Sequence, residues 1–246
     1  MASKNKSCFT PALFKFLRDL ERNNNREWFT ANKARYEAEL KEPALRFIAE
    51  LDAPLKKTVS PHFVASPKAV GGSLFRIYRD TRFSGDKTPY KTHVGMTFFH
   101  EATKAVARGA DGSNASPGRL DAPLFYLHLQ ARECFIGGGV WHGQPETVKR
   151  IRNYMVNNPA SWKKVTRSGA FGKSFSLDGD SLSRPPQGFD PAHELIEDLK
   201  RKDFVCTATL SEELVCAPDF QKTVLKHFAL AAPMIDWLCG ALDLDF

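Results

Sequence analysis

The chain has 246 residues, 42% apolar and 26% charged, and a formal net charge of +7. That length supports one large domain or two small ones around a core of ordinary size, and no apolar run approaches the ~18–20 residues of a membrane span. The positive balance favours anionic partners, either phosphorylated metabolites or nucleic acid.

Phe9-Thr10-Pro11 reads as a helix start. Thr10 is the cap, Pro11 suits the first helical position and Phe9 is spaced to staple onto Phe14. Leu13, Leu17 and Leu20 follow at helical spacing. Asn23–Asn25 ends this helix and offers a cap for a second, whose apolar side carries Trp28, Phe29, Tyr36 and Leu40. Pro43 either kinks that helix or opens a new one in which Phe47, Ile48 and Leu51 continue the stripe. Residues 54–72 are rich in Pro, Ser and Gly and read as a loop.

A strand is expected over 73–80, with Phe75 and Ile77 on one side and Arg76, Tyr78 and Asp80 on the other. A second strand covers 93–100, where His93 and His100 fall on opposite faces. Residues 101–122 are small, polar and Gly-rich, a surface insertion between strands. The third strand region, 124–141, sets Phe125, Leu127, Leu129 and Phe135 on one face and Tyr126, His128, Gln130 and Arg132 on the other. Gly137-Gly138-Gly139 marks a bulge, a hairpin turn or a close backbone approach. Helices are expected from Pro145 to about Asn157, after Pro159, and from Asp190-Pro191, with 166–189 a loop. A fourth strand fits 204–210. A long C-terminal helix carries Phe220, Val224, Phe228, Ile235, Leu238 and Leu242, kinked at Pro233.

This order lacks regular βαβ alternation. It predicts an α+β fold: a mainly antiparallel sheet with helices packed on one face, in a single domain over residues 1–246. The N-terminal MASKNKSCFTP has no apolar h-region, so no signal peptide is expected. Five scattered cysteines without a CxxC fit reduced thiols in a cytoplasmic protein.

Familiar catalytic motifs are missing. Gly85-Asp86-Lys87-Thr88 resembles the end of a P-loop, but Asp80 stands where the first glycine is required and the context is strand–loop–strand. The triple glycine does not complete GxGxxG, and neither GxSxG nor HExxH occurs. His and Cys show no zinc-ligand spacing, so no metal site and no cofactor are expected.

The concentrated polar signal is RIYRDTRFSGDKTPYK, Arg76 to Lys91. Arg76, Arg79, Arg82, Lys87 and Lys91 stand there against Asp80 and Asp86, and Tyr78 and Tyr90 add hydroxyls. A loop held between strands presents such groups to ligands, and arginine forks match carboxylate or phosphate. The two readings are an anion-binding loop and a loop whose acids pair with its cations to hold its shape. The row Tyr126, His128, Gln130 and Arg132 would add a polar patch on the open sheet face. Asp80, His128 and Glu133 are the candidate proton-transfer groups. Arg184, stiffened by Pro185-Pro186, is a further candidate for the anion site. The stretch Lys149–Arg167 contains six cations and no acid. It reads as a solvated face or, alternatively, as a track for nucleic-acid phosphates.

Five segments occur in an order that resembles one family: FLRDLERNNNREWFTANKARYE, SLFRIYRDTRFSGDKTPYKTHVG, FYLHLQARECFIGGGVW, LSRPPQGFD and LKRKDFV. They are similar to domain-of-unknown-function family 2461, conserved hypothetical proteins of bacteria and fungi. The resemblance runs from about Thr10 to about Leu242 and implies one intact domain. It implies no substrate and no reaction. From the residues, the leading expectation is a site for a small anionic or phosphorylated ligand; the alternatives are an enzyme using the same polar patch and a nucleic-acid-binding protein.

Overall fold

A computed structural model of the chain describes residues 7–68, 70–82, 85–103 and 122–246. The expected insertion at 101–122 falls almost wholly outside the described residues. Helix α1, Pro11–Arg22, buries Leu13, Phe14, Phe16, Leu17 and Leu20 on one stripe. Pro11 opens it, but Thr10 makes no side-chain cap bond. Asn25 does cap α2, Arg26–Ala31, by accepting the Trp28 N–H at 2.9 Å. A short α3, Lys33–Tyr36, runs through a π turn at Glu37–Lys41 into α4, Glu42–Thr58. Pro43 thus sits in the first turn of a new helical segment, where its missing N–H costs nothing.

Helix α4 overruns the expected loop at 54–72. Leu51 and Leu55 lie one turn apart and are both buried. Burying such a pair is worth about 1.5–3 kcal/mol per leucine, which offsets the one bond that Pro54 removes inside the helix.

Six strands form one antiparallel sheet in the order β1-β2-β3-β4-β6-β5. They are β1 Phe63–Val64, β2 His93–His100, β3 Leu124–Gln130, β4 Cys134–Val140, β5 Ser176–Asp178 and β6 Phe204–Leu210. The expected strand over 73–80 is instead two separate bridges. Leu74 pairs with Met96 on the edge of β2, and Tyr78 pairs with Tyr90. Between them the chain leaves β2 at Arg76 and folds back on itself. Ile77 is therefore buried (5% exposed) while Phe75 is 42% exposed, and the two do not share a side.

The expected long strand is a hairpin of β3 and β4 turning through Ala131–Glu133, with Arg132 in the left-handed region at φ 69°. That three-residue turn changes the parity. Phe135 pairs with His128 and lies on the histidine's face, not with Phe125. Of the three readings of the glycine run, close approach is the one realised. A Cβ at Gly137 or Gly139 would lie 2.0 Å from the Cys206 or Phe204 carbonyl oxygen on β6, and Gly139 has φ 134°.

Helices α5 (Pro145–Asn157) and α6 (Pro159–Thr166) match expectation. The expected loop at 166–189 contains α7, Gly169–Ser174, before β5. After Asp190 the chain makes turns, and only α8, Ile196–Leu199, is helical. A short α9, Glu212–Val215, precedes the long α10, Phe220–Ala241, which contains Pro233. Helix α10 lies along β4: Gly138 admits Ile235, and Phe228 packs on Phe98 and Phe125 at 5.3 and 4.6 Å between ring centroids. Phe47 of α4 stacks on Phe220 at 5.7 Å. The core thus lies between this sheet face and the helices. No helix among the described residues is long and apolar enough to cross a membrane.

Candidate functional site

The basic segment is built from ion pairs inside itself. Asp80 accepts from Arg82 Nη2 at 2.7 Å, from its Nε at 2.9 Å and from its backbone N–H at 3.2 Å. Asp86 accepts from Arg79 Nη1, from the Thr88 N–H at 2.9 Å and from the Thr88 hydroxyl at 3.0 Å. These donors, the arginine first in each case, hold both carboxyls down at about 2. Lys87 donates to the Thr81 carbonyl at 2.9 Å. The acids therefore do hold the loop's shape.

Tyr90 is drawn inward. Its ring stacks on Phe29 at 4.0 Å, and Asn24 clasps its backbone, accepting from its N–H at 3.1 Å and donating to its carbonyl at 2.9 Å. Tyr78 remains exposed beside it at 5.5 Å between centroids. Between this hairpin and the end of α1 lies an open cleft of about 540 Å³, whose lining includes Glu21, Asn24, Arg79, Asp86, Lys91 and His93. The three carboxylates in its wall each already face an arginine: Asp80 with Arg82, Asp86 with Arg79, and Glu21 with Arg132 at 3.5 Å.

Lys91 and Arg76 are different. Neither forms an ion pair among the described residues. The Lys91 ammonium lies over the Phe75 ring, 5.1 Å from its centroid. Burial first, and then the like charge of Arg76, push its pKa down.

His93 carries the cleft onto the open sheet face. By register, His93, Gly95 and Thr97 of β2 share that face with Gln130, His128 and Tyr126 of β3. His93 stands 4.4 Å from His128 between ring centroids, and Phe135 stacks on His128 from β4 at 4.6 Å. His128 is only 8% exposed. Gly95 leaves room for this cluster, since a Cβ there would come 2.8 Å from the Tyr126 hydroxyl and 2.9 Å from the Phe75 ring.

The hydrogen bonds of the row have one consistent direction. The Gln130 amide donates to Glu133 Oε2 at 3.4 Å, which leaves its carbonyl oxygen facing His128 Nε2 at 3.2 Å. A neutral imidazole donating there has a bare Nδ1, which accepts the Tyr126 O–H at 3.1 Å. Burial pushes His128 down and the Tyr126 hydroxyl up to about 12. His93 is pushed to about 4 by burial, then by His128, Lys91 and Arg79. Its ring makes no hydrogen bond among the described residues.

The residues expected from sequence thus divide. Arg79, Asp80, Tyr90 and Lys91 line the cleft, with Arg76, Tyr78, Arg82 and Lys87 on the same hairpin. His128 and Glu133 lie on the neighbouring row. Arg132 leaves that row through its left-handed turn and reaches Glu21. Arg184 follows edge strand β5, at the far side of the sheet from the hairpin. His93 and Asn24 were missed. The only sequence signal for either was Asn24 within an Asn run and His93 alternating outward on β2.

The basic stretch on α5 and α6 is tied down by acids from distant segments. Arg150 pairs with Asp243 at 2.6 Å, Lys163 with Glu194, and Arg167 with Asp198 at 3.0 Å. Arg152 donates to the Leu199 and Arg201 carbonyls at 2.7 and 2.9 Å. A larger hollow of about 670 Å³ lies at the other end of β2, where buried His100 meets the Asp245 carbonyl at 2.8 Å. Among the described residues no three His, Cys, Asp or Glu side chains are grouped to hold a metal ion.

No curated protein matches the chain. The profile of a family described as conserved hypothetical protein (DUF2461) matches residues 12–237. That span takes in the basic hairpin, the histidine row and the helices that back them, and the chain belongs to this family.

Proposed function

We propose that the cleft between the end of α1 and the Ile77–Lys91 hairpin binds a small anionic or phosphorylated ligand. One observation carries the reading. Every carboxylate of the cleft is already paired with an arginine, whereas Lys91 in its wall and the neighbouring Arg76 form no ion pair among the described residues, Arg76 reaching Asp80 only at longer range, and the two cations repel each other. An anion in the cleft supplies the missing charge, and a half-buried cation binds it more strongly than an exposed one. Arg79, anchored by Asp86, lines the same space, and Tyr78 is exposed on the same hairpin. The five cysteines are all free thiols, which agrees with a cytoplasmic setting for such a ligand.

The test is a thermal-shift and calorimetric screen with inorganic phosphate and a panel of phosphorylated metabolites. A charge-assisted hydrogen bond contributes about 1.5–3 kcal/mol, so Lys91→Met lowers affinity about tenfold or more. Lys33→Met, on exposed α3, leaves it unchanged. Absence of any stabilising anion, or a Lys91→Met protein that binds as well as the wild type, defeats the reading.

A second reading adds proton transfer, favoured by the Tyr126–His128–Gln130–Glu133 chain beside the cleft. The bare Nδ1 of His128 accepts from Tyr126; burial disfavours the imidazolium that results, and Gln130 and Glu133 at the far end offset part of that cost. Under this reading Tyr126→Phe abolishes turnover of a bound ligand and leaves its affinity intact. Asp80, spent on Arg82 in the exposed loop, takes no part.

A further inference from the structure

His93 is the cleft's one lining residue with an imidazole, and its ring nitrogens have no partner among the described residues. Its surroundings keep it neutral. From its own strand and the adjoining turn it faces Lys91. From β3 it faces His128 and, across the register, Gln130, with Glu133 beyond. The hairpin contributes Arg79 and Asp86, paired with each other, and Asp80 paired with Arg82. From α1 and the turn after it come Glu21, engaged with Arg132, and Asn24, engaged with the Tyr90 backbone. Burial first, and then the neighbouring His128, Lys91 and Arg79, disfavour a positive charge on the ring.

A neutral imidazole presents one N–H donor and one bare nitrogen acceptor. A fully ionised oxyanion offers acceptors only and can satisfy just half of that ring. A phosphate group differs because its second proton leaves near pH 6 in an ester, so close to neutrality it offers both an O–H and acceptor oxygens. Resting on the anion-site reading above, we infer that His93 makes this cleft selective for phosphate groups that carry an ionisable proton, over sulfate, by sharing that proton between a phosphate oxygen and its own ring nitrogen. Lys91 and Arg76 supply the charge in this arrangement and His93 supplies the discrimination.

The two anions make a direct test, because charge alone predicts the opposite order: at pH 6 sulfate is a dianion and inorganic phosphate is mainly a monoanion. Calorimetric titration of the full chain at pH 6 is expected to show phosphate binding about tenfold more tightly than sulfate, the worth of one charge-assisted hydrogen bond. In His93→Phe, which keeps a ring against His128, the order reverses to the one charge alone predicts: phosphate affinity falls below that of sulfate, and sulfate loses only the one bond that the ring N–H gave it. A measurement on the wild type guards against a variant that folds poorly. At pH 7.5 phosphate binding draws a proton from solution, seen as a heat that depends on the buffer's ionisation enthalpy, and sulfate binding draws none. Equal affinities in the wild type, a preference that survives His93→Phe, or no proton uptake overturns the role of His93 while the anion site stands. If neither anion binds, the anion site falls and this inference with it.

Discussion

His93 ties the stability of the fold to pH. Its imidazole is held at about 4 in the folded chain against about 6.5 in an unfolded one, with burial as the first cause. Below pH 6.5 the unfolded chain therefore binds a proton that the folded chain refuses, and stability rises with pH wherever the unfolded state binds more protons. The contribution of His93 is fully present above pH 6.5 and is lost as pH falls from about 6.5 to about 4. His128, shifted in the same direction, adds to the slope. Asp80 and Asp86 titrate in a separate window: their carboxyls lie at about 2, so their ion pairs contribute above pH 3.8 and are lost between there and about 2. Urea unfolding at intervals from pH 7 to pH 4 is expected to show stability falling through the upper window. His93→Phe makes that fall shallower and leaves the share of His128. An unchanged slope in the variant places the sensitivity elsewhere.

At the scale of elements, the closest constraint is the seam between β4 and β6. Gly139 combines φ 134° with a Cβ position 2.0 Å from the Phe204 carbonyl oxygen, so any side chain forces the strands apart. Gly139→Ala is expected to cost at least about 2 kcal/mol, from backbone strain and lost pairing together. Gly172→Ala, in α7 with open space around it, is expected to be neutral or to stabilise by up to about 1 kcal/mol. Denaturant unfolding of the two variants checks both. This seam also shows what the sequence discloses. The glycine run announced something special at 137–139, but a bulge, a hairpin turn and a close backbone approach all call for glycine, and only the partner strand decides among them. The periodic elements α1, α5, β2 and β6 were legible because one face of each is mainly apolar. Residues 73–80 were not, because alternation alone cannot reveal that the chain changes partner at Arg76. The candidate site was half legible. The charged hairpin is local in sequence, and so was found. The cleft depends on Asn24 clasping Tyr90 sixty-six residues away and on His93 meeting His128, contacts that exist only after the strands have paired.

Across the whole molecule the net charge of +7 is distributed unevenly in its consequences. On α5, on α6 and at its C-cap the cations hold separate parts of the chain together: Arg150 holds the C-terminal tail through Asp243, Arg167 holds α8 through Asp198, and Lys163 holds the turn before α8 through Glu194. At the hairpin, Lys91 lies over the Phe75 ring, and neither it nor Arg76 forms an ion pair among the described residues. Long-range pairing therefore separates cations that brace the fold from cations that form no ion pair among the described residues, a distinction that net charge and local composition conceal. Arg152 is the sharpest case. Its side chain is half-buried, burial pushes its pKa down, and its guanidinium caps two backbone carbonyls, Leu199 and Arg201, that no helix or strand satisfies. Removing it leaves those acceptors buried and unpaired, so Arg152→Met is expected to lower unfolding free energy by about 2 kcal/mol. Lys164→Met, an exposed change on the neighbouring helix, stays within about 0.5 kcal/mol. If these residues track phosphates instead, the same two variants weaken binding to single- or double-stranded nucleic acid equally and flatten its salt dependence. A stability loss confined to Arg152→Met, with nucleic-acid affinity unmoved, assigns the basic stretch to the architecture.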